Sequence, residues 1–252
     1  MSSTRLDASA KQRTIFLSID IESSPRNNRI SEVGVAILDT AHLSNPDAIQ
    51  SRNFYTRPRH WCKPLKPFLF GTTENVFSSE VKDLFQRITL GSRHSNPLYE
   101  SEGVQVVLVG HDIRVDMKIM EDCVPGIWEN TVISVVIDLQ ALTGILKLRT
   151  VLDLLLIGNG EYRGWHCGGN DANYSLRALL LTCVRHVEAN KEKYGVDERR
   201  IELVEQAVRS CVPRLPENAP QTERKRKQWD NVKDVEESLD VLGVGWSDLI
   251  YK

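Results

Sequence analysis

The first strong hydrophobic signal is residues 14–22, T-I-F-L-S-I-D-I-E, a β-branched run that ends in two carboxylates one residue apart. Such a run predicts a strand. Residues 30–38, I-S-E-V-G-V-A-I-L, predict a second strand and residues 52–56 a third. The polar connections between them make an antiparallel meander. Residues 58–74 are too proline-rich for a regular element, although 67–70 form an apolar knot. Val81, Leu84, Phe85 and Ile88 share one helical face over 80–88, with Ser78 or Ser79 as the cap, and 91–103 read as a polar loop.

Residues 104–109, V-Q-V-V-L-V, have the continuous apolar pattern of a strand buried on both faces, as in a parallel sheet. Gly110-His111 breaks it. Asp112 is placed to cap a helix carrying Ile113, Met117 and Met120, with Asp116 on or beside that apolar face. Residues 132–139 predict another buried strand. Leu148, Val151, Leu152 and Leu155 form a helical face ended by Gly158. A Gly-rich loop over 161–169 carries Trp165 and His166. A helix then starts at Asn170 or Asp171, with Ala172, Leu176, Leu179, Leu180 and Cys183 on one stripe. A further amphipathic helix covers 198–211, with Ile201, Val204 and Val208 inward. The division expected is a flexible 1–13, one domain over 14–212, and a mobile or weakly docked tail over 213–252. Three meander strands followed by alternating helix and strand predict an α/β fold: a mixed sheet with helices packed on it.

Composition narrows the function classes. The chain has 252 residues, 41% hydrophobic and 26% charged, which suits a globular domain with a sizeable core. A net charge of -2 gives no strong global attraction to nucleic acid, leaving a local basic groove as the route to one. Five widely spaced cysteines without a CxxC argue against a disulfide framework or zinc knuckle and for a reducing compartment. No apolar run is long enough to span a bilayer, and the N-terminus lacks the apolar region of a secretory signal. The expected setting is soluble and intracellular, cytoplasmic or nuclear, without a membrane. The basic run 224–227 reads first as a solvated patch, and more sharply as a nuclear localisation signal or nucleic-acid contact.

The carboxylates carry the chemistry. Asp20 and Glu22, two apart on a strand, project together from one face. Like charges that close stay ionised when a cation sits between them. Asp116 on the inner side of a helix, and His166 with Asp171 in H-C-G-G-N-D, add ligands from separate elements. Four carboxylates and a loop histidine make a two-metal site, in which two Mg2+ or Mn2+ ions roughly 4 Å apart serve phosphodiester hydrolysis. A histidine on a loop suits proton removal from the attacking water. Each residue alone has a plainer reading: a solvated strand end, a helix-edge aspartate, a loop histidine, a helix N-terminal charge. Their co-occurrence in this order outweighs those readings. Cys167 beside His166 reads as a small loop residue, and Trp61, Phe68 and Phe70 as packing residues before base-stacking ones.

The motifs S-I-D-I-E, I-S-E-V-G-V-A, V-G-H-D-I-R-V-D and H-C-G-G-N-D resemble the DEDDh branch of the DnaQ-like exonucleases, which share the ribonuclease H-like fold, over roughly residues 14 to 185. Within it, P-F-L-F-G-T-T-E and G-N-D-A-N-Y-S-L-R-A-L-L resemble a fungal group that includes an exonuclease partnering the quelling-pathway Argonaute. The resemblance implies a 3′-to-5′ exonuclease with two divalent metal ions, RNA favoured over DNA. It implies that Asp20, Glu22 and Asp171 hold one metal, that Asp20 bridges to the second with Asp116 near it, and that His166 is the general base. Ile21 and Glu22 would meet the terminal 3′ hydroxyl, and an Argonaute-type factor is the protein partner implied. The chain departs from the branch in S-S-P-R-N-N-R after Glu22, in Asp112 where Asn is common, and in the irregular 58–75 segment. The competing expectations are an RNA- or protein-binding module on this fold, or a DNA repair or proofreading exonuclease.

Overall fold

The computed structural model describes residues 13–24, 29–56, 66–90, 104–129, 131, 133–155 and 166–210. The N-terminal segment before Arg13, the loop 91–103, Gly158, Trp61, Trp165, the basic run 224–227 and the whole tail lie outside them.

The apolar runs of the sequence form one six-stranded sheet. β1 (Arg13–Ser24) pairs antiparallel with β2 (Arg29–Asp39), and β2 pairs antiparallel with β3 (Ile49–Tyr55). β5 (Val104–Gly110) lies parallel to β1, and β6 (Ile133–Asp138) parallel to β5. A short β4 (Thr73–Asn75) closes the other edge, giving the order β4-β3-β2-β1-β5-β6. This is the mixed, ribonuclease H-like sheet expected. β3 begins at Ile49, inside the stretch expected to be a connection, and β4 forms where the proline count argued against any element. Three backbone pairs against the edge of β3 suffice for it. β6 is not buried on both faces as its apolar run implied. It is the sheet's edge, and most of its residues are half-exposed.

Helices cover both faces. Ile15, Leu17, Ile19 and Ile21 alternate to one side of β1 and pack with α1 (Val81–Leu90) and α2 (Ile113–Cys123). On the opposite face lie α3 (Leu139–Thr143), α4 (Leu148–Leu154), α5 (Gly168–Ala189) and α7 (Glu198–Ser210), with the one-turn α6 (Lys191–Tyr194) between the last two. The turn before α1 is a 3-10 segment, Ser78–Glu80, and its entry is held by the Glu80 carboxylate accepting from the Phe77 N–H, not by a serine cap. α5 is buried on all sides from Gly168 to Leu180, wider than the stripe its sequence pattern implied. It starts two residues earlier than expected, so Gly168 and Gly169 belong to its first turn. Among the described residues no helix is long and apolar enough to cross a membrane.

That early start has a steric reason. A Cβ on Gly34 would lie 1.8 Å from the carbonyl carbon of Gly168, and one on Gly168 would lie 3.0 Å from the Asp20 carbonyl oxygen. Two glycines let the helix end touch β2 and β1 backbone to backbone, which sets α5 against the carboxylate end of β1.

Candidate metal centre

β1 outruns its neighbour. The β1–β5 pairing ends at Ser18–Val109, while β1 continues to Ser24. In the notch beyond the end of β5, the chain turns at Gly110 into α2. There Asp116 Oδ1 accepts a hydrogen bond from the Ile21 N–H at 3.1 Å. Asp116 is thus both buried and half satisfied by the strand it faces. Asp112 sits at the α2 N-cap position, as expected, but its side chain makes no capping bond. Its φ is +62°, and its N–H donates to Asp138 Oδ1 at 3.0 Å. Asp138 also accepts from Gln140 N at the start of α3, so one carboxylate ties two helix starts together. Asp112→Asn is therefore expected to change Mn2+ affinity less than threefold, and Asp116→Asn to lower it by about tenfold or more. Calorimetric titration of the two variants with Mn2+ checks this, and the reverse order would refute the placement.

On the other side of β1, α5 brings in the second half of the site. Five hydrogen bonds shape its first turn. Gly168 N donates to Glu32 Oε2 at 3.3 Å and Gly169 N to Asn53 Oδ1 at 2.8 Å. These strand side chains take up two amides that a helix start leaves unpaired. His166 N donates to Asp171 Oδ2 at 2.8 Å, and this bond spans the residue held at φ +60°. Asn170 reaches outward, accepting from Leu69 N at 2.8 Å and donating to the Pro67 carbonyl at 2.9 Å.

The result is convergent. Ligand atoms of Glu22, His166 and Asp171 all lie within 4.8 Å of one another. His166 Nδ1 is 3.8 Å from Glu22 Oε1, and the imidazole is 76% exposed while the Glu22 side chain is 28% exposed. Asp20, two residues before Glu22 on β1, is not part of that group of three but feels the charges around it. Burial first, and then the charges of Asp116, Asp171, Glu22 and Glu32, push its pKa well above the usual carboxylate range. Burial raises Asp116 to about 8, against the Ile21 N–H, with Asp112, Glu22 and Asp138 adding to the rise. Burial likewise raises Asp171 to about 7, opposed by the His166 N–H and by Lys66.

Divalent cations fit this donor set on two counts. Burial, reinforced by mutual repulsion, raises the pKa of Asp20, Asp116 and Asp171, a cost that a cation in their midst offsets. Asp171 Oδ1 is buried without a hydrogen-bond partner, while Oδ2 is engaged, so one oxygen is left as a ligand. All five expected site residues are thus drawn to the end of β1. Ile21 is not free as expected: its side chain is in the core and its N–H is held by Asp116, so of the Ile21–Glu22 pair Glu22 is the residue that faces the site. The Cys167 thiol is buried and its pKa pushed up to about 12 by that burial, which makes it inert. Phe68 and Phe70 are packing residues: the Phe68 ring covers Gly169, and Phe70 meets Tyr174 edge-on at 5.5 Å.

Glu32, Asn53, Asp138 and Lys66 escaped the sequence reading. Glu32 alone had a signal, as a carboxylate inside an apolar strand. It stands directly across from Glu22 in the β1–β2 register.

A family model described as DNA polymerase III subunit epsilon-like, C-terminal domain, of the DEDDh type, matches residues 15–182. Among curated proteins no match is found. The matched span begins within β1 and ends within α5, and so contains every residue that converges on the notch.

Proposed function

Because the chain belongs to the DEDDh family of DNA polymerase III subunit epsilon-like domains, we propose that it is a divalent-metal-dependent 3′-to-5′ exonuclease acting on single-stranded or short-overhang nucleic acid. The observation that carries the reading is the convergence of Glu22, His166 and Asp171 within 4.8 Å beside the clustered charges of Asp20 and Asp116. Asp20, Glu22, Asp116 and Asp171 would hold two Mg2+ or Mn2+ ions. Such ions, when bound, activate water and stabilise the leaving oxygen of a phosphodiester. The exposed His166 imidazole, beside Glu22, is placed to take a proton from the attacking water. The Asp171 Oδ2 bond to its backbone presents the ring at the cluster. Glu22 faces the position of the terminal 3′ hydroxyl.

RNA is the favoured substrate, with the Argonaute-type partner that the narrower fungal resemblance implies. Both rest on that resemblance alone; the two segments that carry it pack together, Asn170 binding Leu69 and Pro67, and Phe70 meeting Tyr174. The description of the matched family favours a DNA substrate as the second reading. 5′-labelled RNA and DNA oligonucleotides of one sequence, each with Mg2+, Mn2+ or chelator, decide between them. Degradation of neither strand by folded protein would refute the exonuclease reading and leave a binding module. His166→Ala in the same assay is expected to lower turnover by about a hundredfold and affinity by less than threefold. Equal losses in both would remove His166 from the role of base.

The raised carboxylates also set a pH dependence. Their folded pKa values lie above those of the unfolded chain, so the stability they contribute is complete below the unfolded pKa and is lost as pH rises through the folded values. Cation-free protein should therefore melt at a lower temperature as pH climbs through the Asp171 and Asp116 values of about 7 and about 8. Protons must leave before a cation binds, so added Mn2+ should raise Tm more at about pH 8 than at about pH 6. Calorimetry at both pH values checks this, and an equal rise at both would contradict it.

A further inference from the structure

The segment around Lys66 is irregular, yet it is firmly seated. Its backbone is pinned by both ends of the Asn170 side chain, Leu69 is 1% exposed, and the Phe68 ring lies against Gly169. Every one of these contacts is to the first turn of α5, the turn that carries Asp171. Lys66, by contrast, is exposed, and it immediately precedes the Pro67 carbonyl that Asn170 holds. Its positive charge acts on two carboxylates of the site, Asp171 and Glu32, and among the described residues no other cation is a main influence on Asp20, Glu32, Asp116 or Asp171.

A nucleic-acid strand entering this notch meets five carboxylates: Asp20, Glu22, Glu32, Asp116 and Asp171. Cations held by the acids offset that field only at the reacting phosphate. The phosphates that follow need a positive group at the rim, on a rigid mount, because a net charge of -2 gives the chain no strong overall attraction for them. We propose that Lys66 is a substrate-contacting residue, its ammonium pairing with a backbone phosphate of the single-stranded nucleic acid whose 3′ end occupies the notch. The contact is to phosphate and so carries no base preference. It rests on the exonuclease reading, and it gives the irregular 66–71 segment a function that the sheet and helices alone do not provide.

The test uses the full chain carrying Asp20→Asn to silence cleavage, with Mn2+ present, and a fluorescein-labelled single-stranded oligonucleotide, RNA and DNA in parallel. Anisotropy titrations are run over a range of salt concentrations. Adding Lys66→Ala should weaken binding to both strands by about threefold to tenfold and flatten the slope of log affinity against log salt by about 0.7, the value for one phosphate contact on a single strand. Lys66→Arg should keep the slope. Lys191→Ala, which removes the same charge from the remote α6, should leave both quantities unchanged. In the cleaving protein, Lys66→Ala should raise KM with little change in kcat. A Lys66→Ala slope equal to that of a parent that binds normally overturns this inference and leaves the exonuclease reading standing. A parent that binds neither strand overturns both.

Discussion

Asp20→Asn is expected to lower cleavage by about a thousandfold or more while raising the melting temperature of the cation-free protein. The two effects have one cause. Burial first, and then the charges of Asp116, Asp171, Glu22 and Glu32, act to keep Asp20 protonated. At a pH high enough to ionise it, removing its charge relieves both the burial cost and the repulsion, and it removes a carboxylate that would hold a cation. An asparagine keeps the size of the side chain, so neither effect comes from repacking. Calorimetry and an oligonucleotide assay on the same preparation read both quantities. A variant that melts lower and still cuts would mean that these acids are held apart by something other than their shared site. The trade of stability for activity is the usual signature of like charges gathered for chemistry.

Gly34→Ala is expected to cost about 3 kcal/mol or more in urea denaturation and to take cleavage with it. The new methyl would occupy the space of the Gly168 carbonyl carbon, 1.8 Å away, and backbone cannot swing aside as a side chain can. Helix α5 would have to lift from the sheet. That motion breaks the Glu32–Gly168 and Asn53–Gly169 bonds and carries Asp171 and His166 away from Glu22. Surviving folded protein should therefore lose affinity for Mn2+ as well as stability. A wild-type urea midpoint in this variant would refute the backbone contact.

The strands and most helices could be read from the sequence because their signals are local. Alternation of Ile15, Leu17, Ile19 and Ile21 marks one face of β1, and the continuous apolar run of β5 marks burial between two layers. Asp20, Glu22 and Asp116 stood out as charges at or beside apolar periodicity, whereas His166 and Asp171 stood out only through the run H-C-G-G-N-D. What the sequence hid is long-range. β6 carries the same apolar run as β5, and only its place at the edge leaves it half-exposed. Asp112 looks like a helix cap and stands at the cap position, yet Asp138, 26 residues on, does the bonding. Asn53 in a short edge-side strand gives no sign that it caps a helix 116 residues away. β4 depends on pairing with β3, and the docking of the segment around Leu69 depends on Asn170, a residue whose local reading was only that of a helix start.

The overhang of β1 beyond β5 bears on which changes of length the chain can absorb. Asp116 reaches the Ile21 amide because β5 stops at Gly110 and α2 begins within three residues. An insertion between Gly110 and Asp116 would rotate the aspartate about the helix by roughly 100° per residue and remove it from the notch. Two further residues of strand on β5 would pair with β1 and fill the notch outright. The Gly110–Asp116 interval therefore works as a fixed ruler, on which a single added residue does more damage than most substitutions.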